Sequence, residues 1–207
     1  LAREDADCNP TTGIERLDLS SISTSWSGPG GNSDSVLKPM TVWDPSRFMN
    51  MWTVTLSDNT LLGYAQYPGG PSETDGVVMG YQYFGSNDAL GVNMDTSIPY
   101  DLGRTTTHEV GHYLGLLHTF QDGCADGDGV ADTPATAQEN YDCPTGQDSC
   151  PTVADGILDM IENYMDYTDD ACMNIFTNGQ SQRMDGVLSG TRLSLANSTV
   201  SDTALPS

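Results

Sequence analysis

Hydrophobic and polar positions fall into two kinds of pattern along the chain. Met51 to Leu56 (Met-Trp-Thr-Val-Thr-Leu) is rich in β-branched and aromatic residues and predicts a strand. Leu61 to Tyr67 predicts a second strand and Gly76 to Phe84, closed by Gly85, a third, with Pro68-Gly69-Gly70-Pro71 as the loop between them. Turn clusters at Asn9-Pro10, Ser27-Gly28-Pro29-Gly30-Gly31 and Ser57-Asp58-Asn59 punctuate the first part of the chain. A helix is expected somewhere within residues 10–50, while Pro45 to Asn50 reads as a turn. From Gly103 the period changes. Asp101 is a candidate N-cap for a helix from Gly103 to Leu114, on which Val110, Leu114 and Leu117 can share an apolar stripe. Gly115 suits the left-handed position just past a helix end. Residues 121–151 are loop-like and dense in Gly, Pro, Asp and Cys. A last helix is expected from Asn178 to Leu188 with Thr177 or Asn178 as its cap, and the stretch after it reads as frayed. No internal repeat or heptad pattern is visible.

Composition narrows this picture. At 207 residues the chain can form one full-sized domain, or one with two closely packed halves. With 37% apolar and 17% charged residues it reads as globular, since a disordered chain has few apolar residues and dense charge. No apolar run approaches the roughly 18–20 residues of a membrane span. The opening Leu-Ala-Arg-Glu-Asp does not read as a signal peptide and is expected to be a processed or trimmed start. Lys and Arg number 7 against 29 Asp and Glu, for a formal net charge of -22. Phosphate backbones need basic patches, so nucleic acid is not an expected partner. The acidity fits solubility or a salty medium, and equally cation binding and attraction of basic substrates.

Of the five cysteines, Cys124, Cys143, Cys150 and Cys172 lie in one region, and none forms a C-x-x-C pair. Two disulfides there are the simpler reading, which implies an oxidising compartment. Four cysteines allow three pairings, and spacing alone does not choose among them. Cys8 is left over.

The chemistry concentrates in His108-Glu109-Val110-Gly111-His112-Tyr113-Leu114-Gly115-Leu116-Leu117-His118. His108 and His112, four apart, project from one face of a helix about a turn apart and can both reach one zinc ion. Glu109 can face a water held by that ion as general base. Gly115 lets the chain turn, so that His118 can swing back as third ligand. Three protein ligands plus water is the open arrangement of a catalytic zinc. The H-E-x-x-H-x-x-G-x-x-H pattern is far more demanding than H-E-x-x-H alone, and it uses all three histidines of the chain.

With Asn163-Tyr164-Met165-Asp166-Tyr167, this segment resembles the metzincin metalloproteases and, within them, the pappalysin (ulilysin-like) family. Pro10-Thr11-Thr12-Gly13-Ile14, Leu61-Leu62-Gly63-Tyr64-Ala65, Gly127 to Pro134, and Phe176-Thr177 with Gly179-Gln180 extend the likeness over roughly Pro10 to Met184. In relatives a first strand ends near the position of Leu1-Ala2. The resemblance implies Met165 as the Met-turn methionine beneath the metal. It implies Tyr167 as hydrogen-bond donor to the tetrahedral intermediate, and Asp170 as the carboxylate at the base of the pocket for the residue after the scissile bond, favouring Arg or Lys there. It implies a substrate extended along Leu62, Gly63 and Tyr64, adding to a sheet edge. It also implies Cys124–Cys150 and Cys143–Cys172 disulfides. The acidic loop Asp122 to Asp132 lacks the EF-hand spacing, but its carboxylates alternate with glycines as a hard cation requires. The family implies calcium there, with Asp128, Asp132 and the Val130 carbonyl as first candidates and Asp126, Thr133 and Asp142 behind them.

The expected fold class is therefore α+β. One catalytic domain spans 1–207, with an upper part to about 115 carrying a twisted mixed sheet and the zinc helix. A lower part from about 116, poor in regular structure, ends in a helix, and a cleft between the two passes the zinc. The expected function is that of a secreted, extracellular zinc-dependent endopeptidase with zinc as catalytic cofactor and calcium as structural one. It would be monomeric, act on protein or peptide substrates and have no membrane span. Two alternatives stand beside it. One is a catalytically silent, zinc-stabilised binding or adhesion module of protease ancestry, which would be marked by loss of Glu109 or Tyr167. The other is a hydrolase of non-peptide amides, which would need an upstream cysteine ligand that the surroundings of Cys8 do not supply.

Overall fold

The computed structural model describes residues 1–86, 99–151 and 157–200. Within them the chain groups into two compact units, one of residues 1–80 and 187–200 and the other of the described residues between 81 and 186.

The first unit is built around a three-stranded sheet of β1 (Met51–Val54), β2 (Gly63–Ala65) and β3 (Val77–Gly80) in the order β1-β3-β2. β1 runs parallel to β3, with Trp52 opposite Val78; β2 runs antiparallel, with Tyr64 opposite the same Val78. All of β3 is buried, as a central strand covered on both faces requires. Trp26, Leu37, Trp52, Tyr64 and Val78 form the core against it, with Leu19, Val36 and Leu56 packed around them. A π-helical turn, Ser33–Leu37, runs into α1 (Lys38–Thr41), which supplies the helix expected within 10–50. Lys38 is buried yet satisfied. Its ammonium lies 2.8 Å from the Asp34 carboxylate and over the Tyr64 ring, 4.5 Å from the centroid.

All three strands are shorter than their patterns suggest. Pairing stops at Val54, with only a bridge between Trp26 and Leu56 beyond it. The second strand keeps Gly63–Ala65 of the expected Leu61 to Tyr67, and the third ends at Gly80, where Tyr81–Tyr83 winds into a 3-10 turn. Apolar content extended the readings; the register of a central strand four residues long limits its neighbours. After residue 187 the chain is not simply frayed. A short helix, Leu193–Ala196, forms, and buried Arg192 makes a bidentate ion pair with Asp75 at 2.5 and 2.8 Å. The last seven residues of that stretch lie outside the described ones.

Among its described residues the second unit has little regular structure. Its main elements are α2 (Arg104–Tyr113), a short turn of helix α3 (Gly123–Asp126), and α4 (Asn178–Leu188). α4 matches the expected bounds and opens on a reciprocal capping box. Thr177 Oγ1 accepts the Gln180 N–H (3.1 Å) while Gln180 Oε1 accepts the Thr177 N–H (2.9 Å). Disulfide Cys124–Cys150 ties α3 to a loop and Cys143–Cys172 joins two further loop positions, while Cys8 in the first unit stays a thiol beside Arg47.

α2 differs from expectation at its start. Asp101 is not its N-cap. Gly103 is, in the left-handed region (φ 79°), and it has no side chain to offer. The buried face of α2 is also not the Val110, Leu114, Leu117 stripe, all of which are half-buried. It comprises Thr105, His108, Glu109, Gly111, His112 and Tyr113, so the polar functional residues themselves face inward. Gly111 is required there. A Cβ would sit 2.4 Å from the Sδ of Met165, which is fully buried. Gly111→Ala is expected to lower stability by about 1–3 kcal/mol through overpacking, read as a lower melting temperature. An unchanged melting curve would mean the methionine moves aside freely.

Candidate metal centre

α2 presents His108 and His112 one turn apart, and Gly115 (φ 87°) ends the helix so that the chain doubles back. His118 then returns to the same spot. Its Nε2 lies 3.0 Å from Nε2 of His112, and the three rings sit within 4.5–5.1 Å of one another by centroid. Among the described residues, these three histidines are the one group of three or more His, Cys, Asp or Glu whose ligand atoms converge, all within 4.8 Å.

The second set of contacts fixes which nitrogen faces inward. Nδ1 of His108 donates to the Tyr164 carbonyl (2.7 Å), and Nδ1 of His112 donates to the Leu116 carbonyl (2.8 Å). A carbonyl only accepts, so both rings carry their proton on Nδ1 and leave Nε2 as a lone pair. His118 stacks face to face on Phe120, with centroids 4.8 Å apart and planes 5° off parallel. Burial depresses the pKa of all three, that of His108 well below the usual histidine range with help from its two neighbours and that of His118 to about 4. They are neutral at physiological pH, which is the ligating form.

Glu109 lies beside them, 6% exposed, and its Oε2 is buried without a hydrogen-bond partner. Burial pushes its pKa up to about 8. An orphaned buried carboxylate next to three convergent imidazoles fits a cation, whose charge would compensate the oxygen that the protein leaves open.

Below the triad runs the segment 163–170. Met165 packs against Gly111. Its N–H donates to Asn163 Oδ1 and its carbonyl accepts from Thr119. Asn163 and Gln180 exchange side-chain amide bonds at 2.9 and 3.1 Å, which ties the segment to the first turn of α4. Asp166 accepts from the N–H groups of Asn140 and Tyr167 and from the Asn140 side chain. The Tyr167 hydroxyl reaches His118 Nε2 at 3.1 Å. Asp170, 2% exposed, accepts the N–H groups of Leu102 (2.8 Å) and Arg104 (3.1 Å) on Oδ2, while its Oδ1 is buried without a partner. Burial raises its pKa, opposed by those two bonds.

The acidic loop is assembled differently from the expected ligand set. Asp128 is buried. Its Oδ1 accepts the Val130 N–H, its Oδ2 has no partner, and burial raises its pKa. Thr133 Oγ1 is likewise buried and unpartnered. The Val130 carbonyl accepts the Thr133 N–H. Asp132 is turned to α4, where Oδ2 accepts the Gly179 N–H. Asp126 and Asp142 are exposed, and Asp128, Asp132 and Asp142 do not converge as a group of carboxylates.

In the first unit, Leu62 O accepts the Gly80 N–H and the Gln66 N–H donates to Gly76 O. Antiparallel alternation then commits the backbone groups of Leu62 and Tyr64 to β3 and turns those of Gly63 and Ala65 to the outer edge of β2. The Tyr64 side chain is occupied inward, its hydroxyl donating to Asp34 (2.9 Å).

Sequence reading missed Phe120, the Tyr164 and Leu116 carbonyls, and the Asn140–Asp166 and Asn163–Gln180 pairs. Phe120 alone was within reach, two residues past His118. The others act through backbone atoms or through contacts 17 and 26 residues apart.

A small mixed sheet with a helix that bears a convergent histidine triad and packs on Met165 defines an α+β domain of the metzincin metallopeptidase type. The sequence profile of the family described as Pregnancy-associated plasma protein-A matches residues 31–189. The chain belongs to that family, the pappalysins. It is 47% identical over 144 residues to an extracellular metalloprotease of Verticillium alfalfae, covering 66% of this chain and 47% of that one. It is also 47% identical over 128 residues to extracellular metalloprotease 1 of Coccidioides posadasii, covering 54% and 45%. The chain thus spans about half the length of the curated relatives it matches. Among solved structures it resembles mature mirolysin of Tannerella forsythia in complex with a cleaved peptide. The TM-score there is 0.82 at 38% identity, over 99% of this chain and 76% of that one. No described helix is long and apolar enough to cross a membrane.

Proposed function

We propose that this chain is a secreted zinc-dependent endopeptidase. The observation that carries the reading is the convergence of three neutral imidazoles beside a buried, unpartnered glutamate. The names of the fungal relatives and the bound cleaved peptide of the bacterial one support it. His108, His112 and His118 would hold the metal through Nε2. When bound, zinc supplies Lewis acidity at neutral pH. Glu109 would take a proton from the attacking water and pass it to the leaving amine, a role for which its buried, unpartnered Oε2 is available. The Tyr167 hydroxyl would donate to the oxyanion as charge develops on the scissile carbonyl, a role supported by its 3.1 Å contact with the His118 nitrogen. The outer edge of β2 offers Gly63 and Ala65 for pairing with an extended peptide, with no side chain at Gly63 to hinder approach.

Asp170 is the proposed partner of an Arg or Lys just after the cut. Its Oδ1 is the open oxygen, and a guanidinium would satisfy it. Digestion of a peptide library by the purified chain is expected to yield new N-termini rich in Arg and Lys. Cuts without that enrichment would remove Asp170 from the specificity pocket. The catalytically silent binding module is the weaker reading, since its mark would be loss of Glu109 or Tyr167 and the sequence keeps both.

Calcium is proposed as a structural ion of the acidic loop, held by Asp128 Oδ2 with oxygens of Thr133 and Val130. Two buried unpartnered oxygens in one loop are what a hard cation would satisfy. Calcium chelation is expected to lower the melting temperature by several degrees, restored by calcium and not by zinc, and Asp128→Ala is expected to abolish the difference. A melting temperature indifferent to calcium would leave the loop without its ion.

A further inference from the structure

We propose that Asp170 is a positioning residue of the metal helix, with Oδ2 serving as the cap that Gly103 lacks and Oδ1 alone left for a substrate cation. The inference deepens the endopeptidase reading and rests on it for the substrate, but its structural half stands without it.

A helix begins with N–H groups that have no intrahelical partner, and a side chain at the N-cap usually accepts one of them. α2 begins on a glycine, and no N-cap side chain bonds to it. The carboxylate of Asp170, 66 residues further on, accepts the N–H of Arg104, the first residue of α2, and that of Leu102. A negative charge at this end also meets the positive end of the helix dipole. The grip is reinforced from the backbone, because the Asp170 N–H donates to Pro99 O at 3.0 Å. Three hydrogen bonds therefore fasten residues 99–104 to a single residue.

One turn further along α2, His108 Nδ1 donates to the carbonyl of Tyr164. The segment that carries Met165 and Tyr167 is thus pinned to the metal helix at two points, Tyr164 and Asp170, and Tyr167 lies between them. A third contact, from the Tyr100 hydroxyl to the Tyr167 carbonyl (3.4 Å), closes the same loop. Moving Asp170 displaces the start of the helix that aims His108 and His112, and with it the far end of the stretch that aims Tyr167 at His118. The double use of one carboxylate also sets the geometry of recognition. With Oδ2 committed, a basic side chain meets a single oxygen, so a lysine ammonium is served as well as an arginine fork.

The test compares Asp170→Asn and Asp170→Ala. The Asn carbonyl oxygen can accept the same two N–H groups, while Ala removes the acceptor. In the zinc-free protein, amide hydrogen exchange at Leu102 and Arg104 is expected to quicken about fivefold or more in Asp170→Ala and to stay near the parent rate in Asp170→Asn. In chelator competition, zinc retention is expected to weaken about fivefold or more in Asp170→Ala and to be largely rescued in Asp170→Asn. On peptides with Arg or Lys after the cut, Asp170→Asn is expected to raise KM, whereas Asp170→Ala lowers kcat as well. An unfolded Asp170→Ala beside a folded Asp170→Asn is the same rescue in stronger form. The proposal is overturned if both variants exchange and bind zinc like the parent, or if Asn fails wherever Ala fails. Exchange and zinc retention are read without proteolysis, so a chain that cuts nothing refutes the enzyme reading and not this one.

Discussion

Glu109→Ala is expected to lower kcat/KM on a peptide substrate by roughly 10²–10⁴-fold while the protein still binds one equivalent of zinc. The size follows from its place. The carboxylate is almost wholly buried, bonds to no side chain through Oε2, and stands beside the triad rather than in it. Removing it takes away a proton carrier and leaves the ligands untouched. Its titration gives a second readout in the metal-free protein. Burial pushes its pKa up to about 8, well above the usual carboxylate range near 4.5, so the folded chain keeps a proton that the unfolded chain has released. The folded state then binds more protons in that window, and stability must fall as pH rises from about 4.5 to 8. Below pH 6.5 the depressed histidines act in the opposite sense, because they are neutral when folded and charged when unfolded. Above pH 7 they are neutral in both states, and the decline is chiefly that of Glu109. Thermal melts of the metal-free protein between pH 7 and 8 should show the loss, and Glu109→Gln should flatten it. A Glu109→Ala variant that cuts at the parent rate would remove the general base from the account.

Tyr167→Phe is expected to lower kcat by about 10²-fold, within the range seen when one donor to an oxyanion is removed, with little change in zinc content. Phenylalanine keeps the ring packing against His118 and Phe120, whose centroids lie 4.9 and 5.1 Å from that of Tyr167. Only the hydroxyl goes. That hydroxyl bonds to His118 Nε2, the nitrogen a metal would take, so a bound metal would leave the hydroxyl available to substrate. A fall confined to KM would instead make Tyr167 a binding residue. A fall in zinc content would make it a structural one.

The centre of the site was legible because its chemistry is local. His108, Glu109, His112, Gly115 and His118 lie within eleven residues, and helix geometry plus one left-handed glycine converts their spacing into convergence. α4 was legible for the same reason, since the Thr177 and Gln180 capping box is written three residues apart. What the pattern hid is non-local. Asp101 looked like the cap of α2 because caps are normally adjacent, yet the acceptor comes from Asp170 across 66 residues. Strand lengths were overread because apolar runs do not reveal where pairing partners stop. Polar residues on the buried face of α2 defeated the search for an apolar stripe, since a metal helix buries its ligands. The acidic loop shows the limit in another way. Alternating carboxylates flagged it, but only packing shows that Asp132 serves α4 while Asp128 and Thr133 turn inward.

The endopeptidase proposal requires the three histidines to hold a zinc ion. The most direct measurement is cleavage of casein by the purified chain after 1,10-phenanthroline treatment, followed by stepwise return of zinc with calcium present throughout. Cleavage is expected to disappear on chelation and to return in proportion to zinc, reaching its maximum at one equivalent per chain, and a His118→Ala variant is expected to recover none. Cleavage that persists in the zinc-free protein, or a chain that takes up one zinc and cuts nothing, would contradict the proposal.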